Sequence, residues 1–109
     1  MNNYRIFIVE DDPWYGEILT YHLSLNPDYL VTRFETGKEC LANMHLKPDL
    51  ITIDFSLPDI KGDELYKKIK DSNSQLPVIF ISSQEQISVA VNLLKMGVSD
   101  YLVKDEATK

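Results

Sequence analysis

The sequence predicts an α/β fold: a doubly wound, five-stranded parallel sheet with strand order 2-1-3-4-5. Strand-like and helix-like segments alternate along the whole chain, which builds a parallel sheet through right-handed crossovers. The first, third and fourth strand segments are near-continuous apolar runs, as expected of strands buried on both faces. The strand segments also end in polar or charged residues, which a parallel sheet gathers along one edge.

The elements follow in order. Tyr4 to Val9, "YRIFIV", is β-branched and aromatic enough for a buried strand. In "EDDP", Asp12 is a helix N-cap and Pro13 the first helical position. Tyr15, Ile18, Leu19, His22 and Leu23 then recur at helical spacing until "NPD", Asn26 to Asp28, breaks the helix. Tyr29 to Phe34 is the second strand. Thr36 caps a short helix carrying Cys40, Leu41 and Met44, which "KPD" ends. Leu50 to Ile53 is the third strand and finishes in Asp54. A helix near Gly62 to Asp71 buries Leu65 and Ile69. Pro77 opens the fourth strand, "PVIFIS". In the next helix Ile87, Ala90, Val91 and Leu94 form the core stripe, and Gly97 is the C-cap. Val89, Leu93 and Met96 are harder to hide there and form a candidate partner surface. Ser99 to Val103 is the fifth strand. "DEATK" supplies at most the first turn of a fifth helix, so that helix is expected to be missing or truncated and one sheet face partly uncovered.

Composition narrows the function classes. The chain has 109 residues, room for one domain, and at 44% apolar and 26% charged it can bury a core. No stretch approaches the roughly 20 apolar residues of a membrane span. "MNNYRIFIVEDD" shows no secretory leader. Cys40 is the only cysteine, so there is no internal disulfide, and a cytoplasmic location is expected. The net charge of −6 disfavours direct contact with nucleic acid phosphates. No Gly-rich phosphate loop follows the first strand, which argues against a nucleotide site. His22 and His45 lack neighbours that would complete a metal site.

The polar residues carry the chemistry. On the predicted edge, strand one ends in Glu10, Asp11 and Asp12, strand three in Asp54, strand four in Ser82 and Ser83, and strand five in Lys104. Acids crowded in one crevice repel each other unless a cation intervenes. All-oxygen, carboxylate-rich ligation suits Mg²⁺. Lys104 can pair with Asp54 or with an anion beside it, and Ser82 can donate to that anion. A carboxylate nucleophile, a hard metal, an ammonium and a hydroxyl together suit phosphoryl transfer.

Taken in this order, "IFIVEDD", "LITIDFSLPDIKG", "PVIFISS" and "YLVK" resemble the receiver domain of two-component response regulators, over essentially the whole chain. The resemblance implies a flavodoxin-like fold and a phosphorylation-controlled switch spanning residues 1–109. It implies that Asp54 accepts a phosphoryl group from the phosphohistidine of a sensor histidine kinase or phosphotransfer protein. Glu10, Asp11, Asp54 and the backbone carbonyl of Ser56 would hold Mg²⁺, and Ser82 and Lys104 would contact the phosphoryl group. Ser82 and Tyr101 would form the switch between strands four and five. Ser56 and Gln84 would tune hydrolysis of the acyl phosphate. No activity beyond self-phosphotransfer and autodephosphorylation is implied. A downstream output domain is implied as a partner, and a homodimer through the strand-five side is one arrangement the family uses. The chain departs from the family pattern at Asp105, where proline usually follows the lysine, and in the missing fifth helix.

Two other classes stay open. A Mg²⁺-dependent aspartyl phosphohydrolase would want a second carboxylate two residues after Asp54, where Ser56 stands. A receiver-like interaction module that never takes phosphate is the other, and the loss of proline after Lys104 favours it weakly.

Overall fold

In the computed structural model, which describes residues 3–82 and 87–104, β1 (Tyr4–Val9) buries Phe7 and Val9 on one face and Ile6 and Ile8 on the other. A strand apolar on both faces belongs inside a parallel sheet, and β1 lies there. It pairs in parallel with β2 (Tyr29–Phe34) on one side and β3 (Leu50–Asp54) on the other. β4 (Val78–Ser82) and β5 (Asp100–Val103) extend the sheet beyond β3. The five-stranded order is β2-β1-β3-β4-β5, as predicted. The chain leaves β1 for one neighbour and later returns to pair on its other side. A crevice therefore opens at the carboxyl ends of β1 and β3.

Helices α1 (Pro13–Ser24), α2 (Gly37–Ala42), α3 (Gly62–Ser72) and α4 (Ile87–Met96) connect the strands. The larger core joins Phe7, Val9, Ile51, Ile53, Val78 and Phe80 of the sheet to Leu65, Tyr66 and Ile69 of α3 and Leu93 of α4. α1 lies against β2. Its one fully buried residue is Gly16, where an added Cβ would sit 2.2 Å from Nε of Arg33. The alternation of β4 and β5 puts Ile79 and Leu102 on the face opposite that core. Ile79 is half-buried and Leu102 is 47% exposed, so among the described residues this corner of the sheet is only partly covered.

Two sequence expectations are corrected. In α4 the predicted core residues Val91 and Leu94 are each 50% exposed, whereas Leu93 is 1% exposed and Val89 packs on the core. Ala90 is half-buried, Met96 is exposed, and the side chain of Ile87 lies outside the described residues. The polar residues Ser88, Asn92 and Lys95 fall on one side of the helix. The buried Leu93, with Val89 and Ala90, lies away from them, while Val91 flanks the polar side and is exposed with Leu94. Gly97, at φ 101°, takes the left-handed conformation that favours glycine, and Val98 is buried on the way to β5. The second correction concerns Met44, which lies outside α2. Asn43 ends the helix by donating from Nδ2 to the carbonyl of Glu39 at 2.8 Å, and Met44–Leu46 form a separate 3-10 turn. The fourth and fifth strands each start one residue later than predicted, at Val78 and Asp100.

Candidate functional site

The backbone sets the site before any side chain does. The Glu10 amide donates to the Phe34 carbonyl at 2.9 Å, carrying the β1–β2 ladder one residue past the strand. The Lys104 amide donates to the Ser82 carbonyl at 2.8 Å and does the same for β4 and β5. Both side chains are thereby aimed at the crevice. Asp12 caps α1: its Oδ1 accepts from the amides of Trp14 at 3.0 Å and Tyr15 at 3.4 Å. Its own amide donates to Glu10 Oε2 at 3.1 Å. Asp54 closes β3 and is buried, and its Oδ1 accepts from the Ser56 amide at 3.2 Å.

Four of the predicted residues meet here. Carboxylate oxygens of Glu10, Asp11 and Asp54 lie within 4.8 Å of one another. Lys104 Nζ stands 3.0 Å from Glu10 Oε1 and 3.4 Å from Asp54 Oδ2. The lysine therefore sits closer to Glu10 than to the Asp54 partner the sequence suggested. Glu10 is only 2% exposed, while Asp11 faces solvent.

Charge is unbalanced in the cluster. Burial, and then the hydrogen bond and charge of Asp54, push the Glu10 carboxyl up to about 7, against the pull of Lys104 and the Asp12 amide. Burial and the charge of Asp54 likewise raise Asp11. Burial would lower Lys104, but Glu10 and then Asp54 outweigh it and hold the ammonium above its ordinary value. Three carboxylates face one ammonium among the described residues. This excess of oxygen donors over cationic charge fits a hard divalent ion such as Mg²⁺.

The other predicted residues lie around this cluster. Ser82 is buried at the end of β4, one residue beyond Ile81, which pairs with Asp54 in register. Ser56 is exposed in the loop after β3. Tyr101 is half-buried on β5, paired with Phe80, and packs on the core. Ser83, Gln84 and Asp105 lie outside the described residues.

Sequence reasoning missed two contacts. Arg33 Nε donates to the Glu10 carbonyl at 3.2 Å, across the space that Gly16 leaves open. The Tyr15 ring lies under Lys104, with Nζ 4.8 Å from the ring centroid. A glycine inside a predicted helix is the signal that could have exposed the first, since it marks close approach. Nothing in the sequence marks the second.

Comparison with known proteins agrees with this geometry. CssR, a transcriptional regulatory protein of Bacillus subtilis, is 36% identical over 102 residues, which cover 94% of this chain and 45% of CssR. The chain thus spans under half the length of this relative. The non-phosphorylated HemR receiver domain of Leptospira biflexa superposes with a TM-score of 0.85 at 28% identity, covering 94% of this chain and 82% of that one. The response regulator TrrA of Thermotoga maritima, in complex with Mg²⁺-BeF, gives 0.80 at 26% identity, covering 94% and 88%. With residues 6–109 matching the response regulator receiver domain, on a sheet of the same order and around this acidic crevice, the chain belongs to the receiver domain family.

Proposed function

We propose that Asp54 accepts a phosphoryl group from the phosphohistidine of a sensor histidine kinase or phosphotransfer protein, with Mg²⁺ as cofactor. The observation that carries this reading is the meeting of Glu10, Asp11 and Asp54 within 4.8 Å, with Lys104 on two of them. In the transfer, an Asp54 oxygen forms a bond to phosphorus, the bond from phosphorus to the imidazole nitrogen breaks, and the imidazole keeps the electron pair. Glu10, Asp11, Asp54 and the Ser56 carbonyl hold the metal. When bound, Mg²⁺ neutralises the carboxylates and the phosphoryl oxygens. Lys104 binds a phosphoryl oxygen through its ammonium, and Ser82 donates its hydroxyl to another. The Ser56 amide, already on Asp54 Oδ1, fixes the acceptor's rotamer.

The output follows from movement of Ser82 toward the phosphoryl group, which leaves room for Tyr101 and shifts a two-state equilibrium on the β4–β5 face. Residues 1–109 then act as the receiver of a longer cytoplasmic regulator. Its own chemistry is limited to taking and losing the phosphoryl group, and its signal passes to an output domain or to a second copy. The test is incubation with acetyl phosphate and Mg²⁺ followed by intact mass. Wild type should gain one phosphoryl group and Asp54→Asn none. An unmodified wild type, or equal labelling of the variant, would sink the reading.

A further inference from the structure

We propose that Tyr15 is a positioning residue for Lys104, its ring holding the ammonium in place while the lysine's carboxylate partners change charge. The proposal deepens the phosphotransfer reading and rests on it. Lys104 follows β5, the edge strand, and its backbone anchor is the hydrogen bond to Ser82. From there a flexible four-carbon stem must carry the charge back across β4 to Glu10 and Asp54. Lysine's compact ammonium has no planar fork to fix its direction, so the placement depends on what surrounds it. Carboxylates of Glu10 and Asp54 stand on it at 3.0 and 3.4 Å. The Tyr15 ring supplies another wall, with its centroid 4.8 Å from Nζ, within the reach of a cation–π contact.

The ring springs from an anchored backbone. Tyr15 occupies the first turn of α1, half-buried, and its amide donates to the capping Asp12. The cap thus sets the backbone that carries the ring, and the ring faces the lysine. The chemistry explains why a π face suits the task. Phosphorylation converts Asp54 from a carboxylate to an acyl phosphate, and a bound cation draws on Glu10. The carboxylates that hold the lysine beforehand thus give way to phosphoryl oxygens, and its ionic partners change at the moment its position matters. A neutral ring face keeps its attraction through these changes and takes no N–H donor from the phosphoryl oxygens.

The experiment compares wild type, Tyr15→Phe and Tyr15→Leu. In metal-free protein, NMR of the Lys104 ε-methylene should show an upfield ring-current shift in wild type and Tyr15→Phe that is lost in Tyr15→Leu. With acetyl phosphate and Mg²⁺, Tyr15→Phe should label at the wild-type rate and Tyr15→Leu roughly threefold to thirtyfold more slowly, the span of a cation–π contact from exposed to desolvated. If Tyr15→Leu does not fold, Tyr15→Met takes its place as an apolar side chain without a π face. Equal rates for wild type and the leucine variant would overturn the proposal, as would a phenylalanine variant as slow as leucine or a wild type without the ring-current shift. A wild type that takes no label at all removes the phosphotransfer reading, and this proposal falls with it.

Discussion

Burial and the neighbouring Asp54 push the Glu10 carboxyl from its ordinary 4.5 up to about 7, so the metal-free fold holds a proton that the unfolded chain has released. A raised carboxyl contributes stability that is complete below its unfolded value and is lost as pH rises through its folded value. The shift of Asp11 has the same sign. Thermal melts with chelator should therefore show a midpoint that falls as pH rises from 4.5 to about 7. Added Mg²⁺ should raise the midpoint most at the alkaline end, because metal and proton compete for the same oxygens. Glu10→Gln should flatten the profile. Removing one charge from the cluster has a related effect. Asp54→Asn should raise the metal-free midpoint, by about 4–8 °C for each kcal/mol of relieved repulsion, and should blunt its response to Mg²⁺. At this scale the acids and Lys104 were legible because each ends an apolar strand in a residue that burial alone would not choose. Arg33 and Tyr15 were not. Each acts on a residue that only the folded sheet and α1 bring beside it.

The helices show how far pattern reaches. α3 begins at Gly62, and its N-cap, Lys61, sits in extended backbone with no side-chain cap hydrogen bond. Lys61→Ser should stabilise the domain by about 1 kcal/mol, read as a higher urea midpoint at unchanged slope. Gly62→Ala should do the reverse. Its Cβ would lie 2.9 Å from ring atoms of both Phe55 and Phe80, and the crowding should cost about 1–3 kcal/mol. α4 supplies the contrast between pattern and structure. Leu93→Ala should cost about 2–5 kcal/mol, because it empties a core position, whereas Leu94→Ala on the exposed face should stay within about 0.5 kcal/mol. A larger loss at Leu94 than at Leu93 would restore the face read from the sequence. Helical periodicity identified α4 and its end at Gly97, but the stripe was chosen from apolar residues alone. One of them, Val91, flanks the polar side formed by Ser88, Asn92 and Lys95. Reading the position of the polar residues would have shifted the stripe toward Leu93.

At the scale of the molecule, the strand order was legible because two-sided burial of β1, β3 and β4 leaves only β2 and β5 for the edges. The same order makes the site non-local. Glu10 and Lys104 are 94 residues apart in the chain, and Asp54 and Lys104 are 50 apart. The acids come from interior strands, while the ammonium comes from the end of a four-residue edge strand. During synthesis the acids emerge from the ribosome first and wait, uncompensated, for the closing strand. A polypeptide stalled before β5 would hold Glu10 and Asp54 without the ammonium of Lys104. The crevice thus receives its counter-charge only when β5 joins the sheet.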